Sequence, residues 1–415
     1  MTGYHLARGG LRVLIIEAKT FPREKACGGG LQTRALRTIP LDVSAVVRGT
    51  ISAVSLSSNL SQPQTRHYHL PLVYTVLRRE FDELLLGAAE TAGAMVLQGV
   101  TVRTINCRRD GTINIGTSNG TFKADGVIGA DGANSVVRPL LNTRDRYFWQ
   151  AAVYCEIPDE IMNTASVNMG AMRVDWGTLP SGYAWAFPKR GSLNVGAGGP
   201  VNVARGVKAY ALRFLESIGV VKRGMLGRVN FMGHQLPTLT KRTKLAQGNL
   251  LLVGDAAGLV DPFTGDGISF ACESAAIASR IVARALGSGS RDFSGYSDEL
   301  MSTIGAEIIA SRELLSLAVA FPGLMDRLFR TNEAVWTEFC RVLRGEASFE
   351  QLKKEVLGPF HVFSKAMNAL SRRIEHHVMS KARFANSIGH NVAMDLAFDS
   401  GFPRARRGQW RLRSE

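Results

Sequence analysis

The sequence predicts a mixed α/β (α+β) fold in which a parallel-sheet domain is interleaved with an antiparallel-sheet domain and followed by a C-terminal helical region. Three observations predict it. Leu250, Leu251, Leu252 and Val253 form a short apolar run of the buried-strand kind, and Gly254-Asp255, Pro262, Gly265 and Gly267 lead from it into a helical pattern near Ile268. Val13-Leu-Ile-Ile-Glu17 repeats the strand pattern directly after the helical Tyr4-His-Leu-Ala-Arg8. Residues 99–130 alternate and turn often, and the segments Ala151 to Cys155 and Tyr183 to Phe187 read as strands of a second sheet.

Taken in order, residues 1–45 supply a helix, a strand and a glycine-rich loop, Phe21-Pro-Arg-Glu-Lys25-Ala-Cys27-Gly-Gly-Gly30. Arg78 to Leu97 predicts a helix leading into another strand. The runs Thr112 to Ile115 and Thr121 to Lys123 flank Asn119-Gly120, a hairpin turn signal. This turn reading disposes of Gly116-Thr-Ser118-Asn-Gly120 as a nucleophile elbow, which needs a strand, a sharp turn and a helix. Val195-Gly196-Ala-Gly198-Gly199-Pro-Val201 mimics a dinucleotide fingerprint, but Val201 stands where a third glycine or alanine must pack, so it reads as a strand end closing a sheet. The chain returns to the first domain after Gly248. From Tyr296 it is helical, with Ile304, Ile308, Leu314, Leu315 and Leu317 among the apolar positions. The domains are therefore 1–45, 76–143 and 245–295 for the discontinuous parallel-sheet domain and 46–75 with 144–244 for the antiparallel cap, followed by 296–400 for the helices and 401–415 for a basic tail.

The segment from Gly248 to Gly267 has the chemistry of a flavin site. Asp255 follows a buried strand where a ribityl or ribose hydroxyl is accepted, and Gly265 and Gly267 admit backbone N–H groups close to a ring. The helix starting near Ile268 points its positive end at that ring, which favours an anionic reduced flavin by roughly 0.3–2 kcal/mol. Asp131 and Asp255 also have a plainer reading, as caps of the turns that follow them.

At this segment the chain resembles the geranylgeranyl reductase family of FAD-dependent oxidoreductases, a branch of the group that contains the aromatic hydroxylases and flavin halogenases. Further segments carry the resemblance in the same order: Val13 to Gly30, Val76-Leu-Arg78-Arg-Glu-Phe81-Asp82-Glu-Leu-Leu85, Val127-Ile-Gly-Ala130-Asp131-Gly132-Ala-Asn-Ser, and Tyr183-Ala-Trp185-Ala-Phe187-Pro188-Lys189. The resemblance implies a Rossmann-like FAD-binding domain, with Glu17 on a ribose, Arg78, Asp131, Gly132, Gly254, Asp255, Pro262, Gly265 and Gly267 at the cofactor, and Cys27 close to the flavin ring. It implies an apolar prenyl substrate against Tyr183, Trp185, Phe187 and Lys189, and NAD(P)H or a ferredoxin-like donor as reductant. In that chemistry hydride passes from the reduced flavin to a prenyl double bond, and a proton from Cys27, Tyr183 or water completes saturation. Plainer readings stand beside these: a small hydrophobe for Cys27, a surface helix charge for Arg78, a solvated strand end for Glu17, and aromatic core for Tyr183, Trp185 and Phe187. A Rossmann half also needs a first strand and a G-x-G-x-x-G turn before the helix Tyr4 to Arg8. The sequence starts inside that helix, so either the start is called too far downstream or the chain is truncated, and as written it is expected to bind FAD weakly or not at all.

Composition agrees with an enzyme of this class. A chain of 415 residues with 45% hydrophobic content supplies sizeable cores. Cys27, Cys107, Cys155, Cys272 and Cys340 are scattered, without C-x-x-C spacing, which fits a reducing cytoplasm and neither a zinc site nor a disulfide framework. No metal motif appears, and His67, His69, His376 and His377 lack a ligand set. The net charge of +15 concentrates late, in Arg372, Arg373, Lys381, Arg383, Arg404, Arg406, Arg407, Arg411 and Arg413. This reads as a solvated tail or as attraction to an anionic membrane surface at its inner face, about 1 kcal/mol for each basic residue near the headgroups. No nucleic-acid module accompanies it. The alternatives are a flavin monooxygenase of an aromatic or quinone-type substrate and a truncated, non-catalytic remnant. Hydroxylases commonly have histidine after Gly-Asp-Ala-Ala where this chain has Gly258, and Trp176 and Trp185 are too far apart for the halogenase Trp-x-Trp pair.

Overall fold

A computed structural model of the chain describes residues 1–141, 147–240, 242–358 and 373. The elements follow the sequence pattern closely. The helix Thr2–Arg8 leads through a turn at Gly9 and Gly10 into the strand Leu14–Glu17, which pairs in parallel with Met95–Gln98, Leu14 opposite Met95 and Glu17 opposite Gln98. Helix Arg78–Thr91 precedes that second strand. Strand Leu250–Leu252 pairs in parallel with Val127–Gly129 and antiparallel with Ala246–Gln247. All three leucines are buried, as an apolar run without alternation requires.

The cap is a seven-stranded sheet. Its order is Met232–Leu239, Tyr147–Pro158, Ser192–Pro200, Tyr183–Lys189, Ala171–Trp176, Ala53–Ser58 and Gln64–His67. The glycine-rich Val195 to Pro200 is the end of its strand as read, but it lies in the interior of the sheet, with Val195 to Gly198 paired on both sides and Gly199 and Pro200 paired only with Tyr147–Pro158. Its glycines let neighbouring side chains lie flat: a Cβ on Gly196 would strike the Trp185 ring. One face of this sheet buries Ala184, Ala186, Val195 and Ala197 against helix Ala204–Ile218, through Val207, Tyr210, Ala211 and Phe214. Period-2 alternation then turns Tyr183, Trp185 and Phe187 to the other face. A smaller antiparallel sheet, Gly30–Gln32, Val73–Val76 and Val47–Ile51, continues from the glycine-rich loop. The hairpin is present: Ile113–Thr117 pairs antiparallel with Gly120–Ala124, and Gly120 has φ +111°.

Helix Ile268–Gly287 packs against helix Thr2–Arg8. Its Ala- and Ser-rich sequence forms helix readily and packs closely, with Ser279 Oγ donating to the Ala275 carbonyl. The helices Gly295–Ser302, Ile304–Ala320, Pro322–Thr331, Glu333–Leu343 and Phe349–Leu357 complete the main core around Phe293, Tyr296, Leu314 and Trp336. No single helix among the described residues is long and apolar enough to cross a membrane. The basic tail 401–415 lies outside the described residues, as do Arg372, Lys381 and Arg383.

Candidate functional site

The two domains meet where the Lys25–Gly30 loop lies against the aromatic face of the cap sheet. A Cβ on Gly28 would come within 3.0 Å of both Phe187 and Trp185 Nε1, and one on Gly30 within 3.1 Å of Phe187. The loop thus needs glycine to reach this wall. Cys27 sits at its tip, half-buried, with Sγ accepting the Gly29 N–H at 3.3 Å. Cys27 lies close enough to the Arg78 guanidinium to help hold its charge. Arg78, the first residue of its helix, forms a fork with Asp82 through two bonds of 2.8 Å, and burial works against its charge while Asp82 and Cys27 hold it. Asp82 in turn takes Arg23 at 3.0 Å, and Arg23 lies 3.6 Å from Glu17. Glu17 closes its strand and accepts the Lys19 N–H at 2.8 Å.

The wall is latched from behind. Fully buried Asn194 accepts the Trp185 indole N–H at 2.8 Å, donates to Glu156 at 2.9 Å and reaches the Cys27 carbonyl at 3.4 Å. Lys189, buried beneath the loop, pairs with the same Glu156, and Ser192 Oγ donates to its second oxygen at 3.1 Å. Tyr183 donates to the Thr264 carbonyl at 2.9 Å, which ties the wall to the Pro262–Gly267 loop.

That loop is built around Asp261. Its carboxylate accepts the N–H groups of Phe263 at 2.8 Å and Thr264 at 3.0 Å, the hydroxyl of Ser311 at 2.5 Å, and the hydroxyl of Thr264. Gly265 has φ +76°, and a Cβ there would collide with the Tyr183 hydroxyl. Gly267 opens the helix Ile268–Gly287, and a Cβ on it would lie 3.4 Å from Asp255 Oδ1. The two glycines therefore bring backbone, helix terminus and Asp255 together. Gly254, with φ +55°, donates its N–H to Ser274 Oγ at 3.1 Å. Burial raises the Asp255 carboxyl, and Lys25 at 3.5 Å, then His234 and Arg78, more than offset it, holding it below the usual range.

Asp131 accepts the Val136 N–H at 2.7 Å, so it caps the turn after Gly132 as the plainer reading has it. The tie from that turn to Asp255 is Arg138, which the sequence reading did not single out. Its buried guanidinium donates to the carbonyls of Ala133 at 2.8 Å, Ala256 at 2.8 Å and Asp255 at 2.7 Å, and stacks on Tyr147 and Trp149. Burial lowers its proton affinity, the mark of a charge held away from water. His234, also missed, projects from strand Met232–Leu239 with Nε2 buried and without a partner, and burial lowers its pKa despite Asp255. Of the residues expected at the site from sequence, Glu17 and Arg78 are linked through Arg23 and Asp82 beside Cys27, Tyr183 is tied to the loop of Pro262, Gly265 and Gly267, Trp185 and Lys189 are tied to Asn194 and Glu156, and Arg138 joins the turn of Asp131 and Gly132 to Gly254 and Asp255.

The residues fit a flavin cofactor. Two glycine-only approaches, a helix N-terminus, the half-buried Asp255 carboxylate and the half-buried His234 with its unpartnered Nε2 lie beside the aromatic wall.

Comparison with known proteins gives the family. No family model matches the chain. It is 31% identical over 315 residues to digeranylgeranylglycerophospholipid reductase 2 of Methanothermobacter thermautotrophicus, covering 70% of this chain and 76% of the relative. It is 29% identical over 306 residues to the chloroplastic geranylgeranyl diphosphate reductase of Oryza sativa, covering 69% of this chain and 64% of that longer protein. A geranylgeranyl bacteriochlorophyll reductase-like structure from Thermoplasma acidophilum has the same fold, with a TM-score of 0.66 at 21% identity over 87% of this chain and 95% of that one. Sequence kinship at this coverage, together with the shared fold and the assembled site, makes the chain a member of the geranylgeranyl reductase family of FAD-dependent oxidoreductases.

Proposed function

We propose that this enzyme reduces carbon–carbon double bonds of a geranylgeranyl-type prenyl lipid. The observation that carries the reading is the aromatic wall Tyr183, Trp185 and Phe187, pressed against the Cys27 loop and hydrogen-bonded to the loop of Gly265. An apolar chain laid along this wall has its double bond between the cofactor side and Cys27. The flavin, when bound and reduced, supplies the hydride. The protein supplies the rest. The wall excludes water, Asn194 fixes the Trp185 ring, and Cys27 carries the proton. The Gly29 N–H donates to its sulfur and orients it. Tyr183 is suited to orientation, since burial pushes its phenol well above the usual range and its hydroxyl is committed to Thr264. A nicotinamide hydride donor or a ferredoxin-like protein reloads the flavin, and the basic tail holds the protein at an anionic lipid surface where such substrates reside.

The test is anaerobic incubation of the FAD-loaded, chemically reduced protein with geranylgeranyl diphosphate and with an unsaturated digeranylgeranyl phospholipid. A gain of two hydrogens per double bond by mass spectrometry is expected. Unchanged substrate, or substrate-dependent oxygen consumption with a hydroxylated product in air, refutes the reading. Failure to bind anionic vesicles at low salt refutes the membrane part alone.

A further inference from the structure

Asp266 stands between the two glycines of the cofactor loop, yet its side chain turns inward, beneath the start of helix Ile268–Gly287. It is 7% exposed. Oδ1 accepts the Ser269 N–H at 3.1 Å, and Oδ2 is buried without a hydrogen-bond partner. Such an oxygen is costly as a carboxylate and acceptable as an acid. Four titratable or charged groups face it: Arg34, Asp261, Tyr183 and Cys272. Only Arg34 is a cation, and its ion-pair partner is Glu273 at 3.1 Å. Asp261, fully buried and satisfied by its turn, adds a like charge. Burial accordingly pushes the Asp266 carboxyl up to about 6, against the opposing Ser269 bonds and Arg34. Arg34, the cation that faces Asp266, also lines an open cleft of about 430 Å³ together with Glu273, Glu307 and Glu346.

We propose that Asp266 takes up one proton when the bound flavin is reduced and releases it when the flavin is reoxidised. The proposal rests on the functional reading above, which puts the Gly265–Gly267 loop against the cofactor. A hydride from the nicotinamide donor, or two electrons and one proton from a ferredoxin-like donor, leaves one extra negative charge on the reduced flavin. A second proton, drawn from solvent, neutralises the Asp266 carboxylate. When hydride moves to the double bond the flavin charge disappears, and the acid returns that proton to solvent. By linkage, protonation favours reduction as much as reduction favours protonation.

The test compares the native protein with Asp266→Asn, which keeps the cap on Ser269 and cannot ionise. In FAD-loaded protein the reduction potential is followed against pH. The native chain is expected to take up two protons per two electrons in a window above pH 6 where the variant takes up one. Coincident profiles overturn the proposal. In cofactor-free protein, urea unfolding of the two forms is compared from pH 4 to 8. The native chain is expected to lose stability relative to the variant as pH rises from about 4 to about 6 and to level off above that, whereas a pH-independent difference also overturns the proposal. Absence of bound FAD from both forms, also when each is extended at its N-terminus by a strand and a G-x-G-x-x-G turn, overturns the functional reading and the proposal with it, and the cofactor-free titration shows whether Asp266 itself behaves as described.

Discussion

Arg138→Met removes a side chain that joins the Asp131 turn to the Asp255 helix while keeping a stem to lie on Tyr147 and Trp149. Three charged hydrogen bonds of 2.7–2.8 Å are lost. The Asp255 carbonyl retains the Gly258 N–H at 3.0 Å, so the carbonyls of Ala133 and Ala256 bear most of the loss. At about 1–3 kcal/mol for each buried group left unsatisfied, the gross cost is about 2–6 kcal/mol. Loss of the cation over two aromatic rings adds about 0.5–2 kcal/mol. Relief of burying a guanidinium, whose proton affinity burial already depresses, offsets part of this. A net loss of about 3 kcal/mol is expected, two orders of magnitude in the folding equilibrium. Urea denaturation measures it through the midpoint at unchanged slope. Arg138→Lys keeps charge without the planar fork and is expected to fall between the two. A loss below about 1 kcal/mol for the Met variant refutes the claim that Arg138 ties the two turns.

Other expectations follow from the same contacts. Gly265→Ala forces a side chain into φ +76° and into the Tyr183 hydroxyl, whereas Gly289→Ala meets only the backbone penalty at φ +74° in open space. Both should cost about 1–2 kcal/mol for the left-handed conformation, and only the first should also abolish FAD binding in a fluorescence titration; equal effects on binding contradict the loop assignment. Asn194→Ala unlatches Trp185 and the Cys27 carbonyl, so iodoacetamide should alkylate Cys27 faster, followed by peptide mass spectrometry; an unchanged rate shows that the latch does not hold the loop. Burial works to raise Asp82, and Arg78, then Arg23 and Lys25, overcome it, so its folded-state carboxyl sits below the unfolded value. Its stabilisation is therefore complete above the usual carboxylate range and is lost as pH falls below about 4. Asp82→Asn should flatten that part of the stability profile, and an unchanged acid limb contradicts it.

The strands and helices that position the site were legible because their patterns are local. Leu250 to Val253 is too short and too uniformly apolar for a surface helix, and Asn119-Gly120 dictates its own turn. The site residues were legible because strand ends, glycine approaches and the family resemblance point to the same positions. What escaped was determined by contacts far apart in sequence. Arg138 donates to carbonyls more than a hundred residues away, and Asn194 reaches back to Cys27. The interior position of Val195 to Pro200 likewise depends on two partner strands that the glycine pattern does not name. Asp266 carried a faint signal, an acid between two glycines at a helix start, but that position reads equally as an exposed cap. Only burial of its second oxygen distinguishes the two. Cys27 looked ambiguous for a sound reason, since the loop alone shows neither the Gly29 N–H at its sulfur nor the Arg78 guanidinium close by.

The most direct measurement is a visible absorbance titration with FAD, run on the chain and on a version extended at its N-terminus by a strand and a G-x-G-x-x-G turn, followed by reduction and addition of a prenyl substrate. The account predicts a bound-flavin spectrum that strengthens with the extension and bleached flavin that recovers its oxidised absorbance only when the unsaturated substrate is added. A chain that takes up no flavin in either form, or reduced flavin that ignores the substrate, would contradict it.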